Sequence, residues 1–132
     1  MGKAVLDSYA VMAYLFKQKG CERVLKLIEN AGNTGQPLLI TSVNWAEVSY
    51  VVERKAGRTH WLRLRKDLAC LPIEIVEADK ELAECAAEFK VKGGISLGDC
   101  FAAALAKLRG LPVYTGDREF ERVQDEVKVM WI

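Results

Sequence analysis

Four acids in this chain of 132 residues stand where an apolar residue would be expected. Asp7 follows the apolar run Ala4-Val5-Leu6, and Asp117 comes three residues after Tyr114. Asp99 and Lys107 are the only residues from Leu97 to Leu108 that are neither apolar nor glycine. Glu47 falls within a stripe of Val43, Ala46, Tyr50 and Val51 at helical spacing. A carboxylate buried without a partner is heavily penalised, and four crowded together raise one another's pKa. A divalent cation resolves that conflict. All-oxygen ligation suits Mg²⁺ or Mn²⁺, which keep several waters and leave positions open for a phosphate. Such an ion can act as Lewis acid and as the source of a water-derived nucleophile.

Each acid also has a purely local reading. Asp7 and Asp117 can cap helices at strand–helix junctions, and Asp99 fits the third position of a capping box begun by Ser96. Glu47 can pair with Arg54 or with a neighbouring helix. Their placement argues for a shared site: three of them begin helices at one edge of a sheet, and Glu47 lies one to two turns into a helix entered from that edge.

Composition narrows the chemistry. The single histidine, His60, excludes zinc sites built on several histidines and histidine-pair acid–base mechanisms. Cys21, Cys70, Cys85 and Cys100 form no C-x-x-C pair, which argues against a zinc ribbon or a thioredoxin-like motif and suits a reducing compartment. The longest apolar run, Tyr9 to Phe16, is too short to span a bilayer. No signal peptide is evident, so the expectation is a soluble cytoplasmic protein with no membrane association. A formal charge of +1 names no partner, while 51% apolar and 28% charged residues argue against disorder. The length suits one domain spanning 1–132.

The elements that must position these acids follow from periodicity and punctuation. A strand at Ala4–Leu6 leads into a helix to about Lys19, stopped by Gly20. A second helix covers Cys21 to Ala31, with Val24, Leu25 and Ile28 on one face, before a loop at Gly32-Asn33-Thr34-Gly35. The strand Leu38–Ile40 precedes a helix capped by Thr41 or Ser42 and ending at Ala56. Another helix spans about Thr59 to Ala69, then a strand Ile73–Val76 and a helix from Asp79 to about Val91. Gly93-Gly94 breaks the chain before the apolar helix Ser96–Arg109. The strand Val113-Tyr114, a short helix after Asp117 and a strand Val127–Trp131 complete the order. Short apolar strands alternating with helices predict a parallel sheet covered on both faces, an α/β/α three-layer sandwich. Ligands in such sheets bind beyond the carboxyl ends of the strands.

Four segments carry a resemblance: AVLDSYA at 4–10, TSVNWAEV at 41–48, ISLGDC at 95–100 and YTGDREF at 114–120. With the ending VKVMWI at 127–132, they resemble the PIN domains, and in particular the VapC-type toxin ribonucleases. The resemblance runs the length of the chain in the right order. It implies five strands in a mainly parallel sheet of order 3-2-1-4-5. Asp7, Glu47, Asp99 and Asp117 match its four acidic positions, the three aspartates as metal ligands. Ser8 and Thr115 match hydroxyl positions that support the acids, and Asn44 stands one turn before Glu47. No acidic position is lost, and Glu119 adds an acid. The implied activity is Mg²⁺- or Mn²⁺-dependent hydrolysis of RNA phosphodiesters, with a homodimer and a cognate antitoxin as expected assemblies. A PIN nuclease that is not a toxin, or a PIN fold that binds nucleic acid without cutting it, is the alternative.

One further segment is set apart by charge. Residues 54–66 hold Arg54, Lys55, Arg58, Arg63, Arg65 and Lys66 and no acid, leaving the rest of the chain net acidic. Such a patch can neutralise phosphates, and Trp61 within it can stack on a base or dock in the core. Tyr9, Tyr14 and Trp45, lying within apolar helical patterns, are expected in the core or at an interface.

Overall fold

The computed structural model describes residues 3–132; Met1 and Gly2, part of the expected domain, lie outside the described residues. Strands β1 (Val5–Leu6), β2 (Leu38–Thr41), β3 (Ile73–Val76), β4 (Val113–Thr115) and β5 (Val129–Trp131) form one sheet of order β3-β2-β1-β4-β5. Every pairing is parallel, with Val5 opposite Leu39 and Val113, and Leu6 opposite Tyr114. Helices α1 (Ser8–Leu15), α2 (Cys21–Thr34), α3 (Ser42–Ala56), α4 (Arg58–Ala69), α5 (Lys80–Lys92) and α6 (Leu97–Arg109) connect the strands, and a 3-10 helix (Arg118–Val123) follows β4.

Alternation along the strands divides the interior into two cores. Val5, Leu39 and Val113 pack on one face against Phe89 of α5, Leu105 of α6 and Phe120 of the 3-10 helix. Leu6, Leu38 and Ile40 pack on the other against Val11, Val24, Leu27, Val48 and Val52. This is the three-layer sandwich that alternating short strands and helices require. Because β1 and β4 are adjacent and in register, the residues leaving their carboxyl ends, Asp7 and Thr115, emerge side by side. Among the described residues no helix is long and apolar enough to cross a membrane.

Several local expectations need correction. Helix α1 stops at Leu15, four residues early, because the chain turns through a left-handed Lys17 (φ 52°) before reaching Gly20. Helix α2 continues through Gly32 and Asn33 to Thr34 and closes at Gly35. Its buried face is Val24, Leu27, Ile28 and Ala31, with Leu25 exposed. In α3 the buried stripe is Asn44, Val48 and Val52, so Ala46 and Tyr50 point outward. The last strand begins at Val129, two residues late.

Trp61 is buried (3% exposed), its ring 5.6 Å from that of Trp45, and it therefore offers no face to a nucleotide. It joins α4 to α3 within the second core. Replacing Trp61 with Ala is expected to cost about 3–5 kcal/mol of unfolding free energy. Chemical denaturation monitored by circular dichroism measures this; a loss within experimental error would place the ring outside the core.

Candidate acidic metal centre

Asp7 closes β1 and caps α1. Its Oδ1 accepts the Ala10 N–H at 2.8 Å, and its Oδ2 accepts the hydroxyl of Thr115. Thr115 Oγ1 in turn accepts the Asp117 N–H at 2.9 Å, so one hydroxyl ties the two aspartates together. Asp117 caps the 3-10 helix by accepting the Glu119 N–H at 2.9 Å. The capping readings of Asp7 and Asp117 are thus correct as local chemistry, and they coexist with the gathering of the acids.

Glu47 reaches the same edge from α3. It makes no pair with Arg54, whose guanidinium lies 5.1 Å from the centre of the Tyr50 ring. Instead Glu47 Oε1 accepts the Ser8 hydroxyl at 3.1 Å and Asn44 Nδ2 at 3.0 Å. Asn44 is fully buried and fully used. Thr41 donates its hydroxyl to Asn44 Oδ1 at 2.6 Å and accepts the Asn44 N–H, while Nδ2 also donates to the Gly98 carbonyl at 3.0 Å. Gly98 supplies the space: a Cβ there would lie 2.6 Å from Glu47 Cδ and 2.7 Å from Oε2. The missing side chain lets a carboxylate from α3 rest against the start of α6, beside Asp99.

Asp99 departs from the capping box. Ser96 Oγ accepts the Asp99 N–H at 3.3 Å, but the reciprocal donor, Ser96 N–H, goes to Glu119 Oε1 at 2.8 Å. Asp99 is 5% exposed, and its Oδ2 is the single buried side-chain polar atom without a partner among the described residues. One oxygen each from Asp99, Asp117 and Glu119 lie within 4.8 Å of one another, the one such group among the described residues. Glu119 therefore joins the site both as a carboxylate and as the cap of α6.

The electrostatics follow from this crowding. Burial, then the charges of Asp117 and Glu47, push the Asp7 carboxyl up to about 7 against the bonds from Thr115 and Ala10. Burial, then Asp117 and Asp7, push Asp99 up to about 8. An orphaned carboxylate oxygen among like charges, with only oxygen donors at hand, fits a divalent cation. Asp99, Asp117 and Glu119 bring oxygens close enough to share one, and Asp7 lies within reach of the charges of Asp99 and Asp117.

The remaining sequence candidates lie apart from the acids. Arg54, Lys55, Arg58, Arg63, Arg65 and Lys66 are exposed on the end of α3 and on α4, and Arg58 pairs with Glu53 at 3.1 Å. Thr41 and Gly98 are parts of the site that the local sequence pattern does not single out. Their only local signals are the Thr41-x-x-Asn44 cap and a glycine directly before Asp99.

A parallel sheet with acids gathered beyond the ends of β1 and β4 defines a class of acid-lined α/β domains suited to a divalent cation. The family model of the PIN domain matches residues 4–126, and the chain belongs to that family. It is 25% identical over 124 residues to Ribonuclease VapC30 of Mycobacterium tuberculosis, covering 89% of this chain and 92% of the relative. Among solved structures it is similar to a DNA-bound VapBC from Salmonella typhimurium (TM-score 0.76, 22% identity, 99% and 98% of the two chains). It is also similar to VapC20 of Mycobacterium tuberculosis, a sarcin–ricin loop cleaving toxin (TM-score 0.69, 15% identity, 89% and 92%).

Raised folded-state pKa values carry a definite sign. Between about pH 4 and pH 8 the folded chain holds more protons at Asp7 and Asp99 than the unfolded chain, so stability falls as pH rises through that window. In chelator the melting temperature is expected to drop by several degrees from about pH 5 to about pH 8. Millimolar Mg²⁺ or Mn²⁺ is expected to restore it at the higher pH and to act weakly at the lower. Differential scanning fluorimetry checks both, and a melting temperature indifferent to cation at pH 8 would contradict the assignment.

Proposed function

We propose that this chain is a Mg²⁺- or Mn²⁺-dependent endoribonuclease and the toxin of a type II toxin–antitoxin pair, working in the cytoplasm. The observation that carries the reading is Asp99: buried among like charges, with one oxygen left unpaired at the carboxyl edge of the sheet. The relatives named above support the choice of RNA, and the VapBC neighbours support an antitoxin as partner.

Asp7, Asp99, Asp117 and Glu119 are the residues that would hold the cation. When bound, it supplies the Lewis acidity and charge neutralisation that phosphodiester hydrolysis needs. The protein does the rest by positioning. Thr115 fixes Asp7 and Asp117 relative to one another, while Asn44 and Ser8 hold Glu47 through Oε1. The two donors on Oε1 leave Oε2 without a described donor, available to orient a water. The exposed cations Arg54, Lys55, Arg58, Arg63, Arg65 and Lys66 suit the phosphates of a longer RNA strand. A homodimer is the expected assembly.

Asp99→Asn and Asp7→Asn are expected to lower RNA cleavage at least ~100-fold, a loss typical of removing a charge-stabilising group, with an unchanged circular dichroism spectrum. Excess chelator should have the same effect on the unmodified protein. Full cleavage by either variant, or in chelator, would overturn the proposal. On the Asp99→Asn background, Arg63→Ala with Arg65→Ala is expected to flatten the salt dependence of binding to single-stranded RNA. The log–log slope should change by about 0.7 for each phosphate that is no longer neutralised. An unchanged slope would move the RNA path away from α4.

A further inference from the structure

Patterning places Tyr9 in the core or at an interface, yet the structure leaves it 40% exposed beside the acids. It stands in the first turn of α1, next to Ser8, whose hydroxyl holds Glu47, and two residues from Asp7. Its ring lies over Gly116, the residue between Thr115 and Asp117. A Cβ on Gly116 would overlap the ring, 2.6 Å from Cζ and 2.9 Å from Cδ1. Gly116 does not have a positive φ, so its backbone conformation does not demand glycine. The Tyr9 ring does. One side of that ring is backed by the loop carrying Thr115 and Asp117, and the rest faces solvent at the rim of the acids.

A second tyrosine on this part of the fold is also exposed but differs in one respect. Tyr50, one turn beyond Glu47 on α3, already has the Arg54 guanidinium over its ring. No cation or second ring covers Tyr9 among the described residues. An aromatic plane that is supported from behind and open in front fits a nucleobase, because every base has a π-face and stacking tolerates any sequence.

We infer that Tyr9 is a substrate-positioning residue whose open face stacks on a base of the RNA strand beside the phosphodiester held at the acids. This rests on the ribonuclease reading above. The ring acts through binding and placement; it takes no proton and forms no bond to the reacting phosphate. Gly116 is its seat, which couples the ring's position to the loop that carries Asp117.

The test uses the full chain with Tyr9→Ala, Tyr9→Phe and Tyr9→Trp. The substrate is a single-stranded oligoribonucleotide that the unmodified protein cleaves. Tyr9→Ala is expected to raise KM roughly 5- to 150-fold, the range expected for removing one aromatic–base stack, with a smaller change in kcat. Tyr9→Phe and Tyr9→Trp are expected to stay within a few-fold, and all melting temperatures should agree closely. On the Asp99→Asn background, 2-aminopurine placed beside the cut bond should be quenched on binding, and Tyr9→Ala should abolish the quench. Unchanged KM and quench in Tyr9→Ala, with cleavage intact, would overturn the role of Tyr9 and leave the nuclease reading standing. Failure of the unmodified protein to cleave with any divalent cation would overturn the nuclease reading, and this inference with it.

Discussion

Two carboxyl groups, Asp7 and Asp99, are buried within reach of each other's charge and of Asp117, and that repulsion is the constraint on which the arrangement of the fold turns. A protein interior does not tolerate such a group without compensation. Much of the surrounding polar structure supplies part of it. Ala10 and Thr115 donate to Asp7, and the start of α6 directs its positive end toward Asp99 and Glu119. Asp99 Oδ2 still lacks a donor, which is the remainder a cation can neutralise.

The hydrogen bonds show how a small domain fits a site into its own connections. Asp7 and Asp117 terminate the carboxyl ends of adjacent strands, where a helix N-cap is needed in any case. Thr115, opposite Asp7 in the sheet register, joins both caps with one hydroxyl. On the other side, Asn44 uses its amide to fasten α3 to α6 at Gly98 and to aim Glu47. At Ser96 the exchange is clearest. Glu119 takes the backbone donor that a capping box would assign to Asp99, and Asp99 is released toward the other acids. Capping and site formation are therefore one set of contacts here.

Sequence reveals the parts of this arrangement that depend on residue type and on local period. Asp7, Asp99 and Asp117 stand out because acids follow apolar strands or sit in an apolar helix, and the strand–helix order defines the layers. Periodicity misassigns the face of α3 because its buried stripe begins with a polar residue, Asn44, whose burial depends on Thr41, Glu47 and Gly98. Trp61 is ambiguous in sequence because its neighbours along the chain are cations while its neighbour in space is Trp45. Gly98 and Glu119 are tertiary in origin. Nothing within a window around either residue tells that one clears space for Glu47 and the other caps α6. The continuation of α2 through Gly32 shows a weak local preference overridden by packing of Ile28 and Ala31.

The double role of the acids also determines what substitutions can separate. Alanine at position 7 would remove a charge and a helix cap together, so lost activity and lost stability would be entangled. Asparagine keeps a side-chain oxygen for the Ala10 N–H, and asparagine is among the best N-cap residues. It removes the charge and puts an amide donor where Oδ2 accepted the Thr115 hydroxyl, which has to reorient. At position 99 the same change removes a carboxyl whose ionisation burial and the neighbouring acids oppose, and it leaves the local cap in place because Ser96 and Glu119 make it. The charge at position 99 is therefore separable from the fold that carries it, and the charge at position 7 only in part.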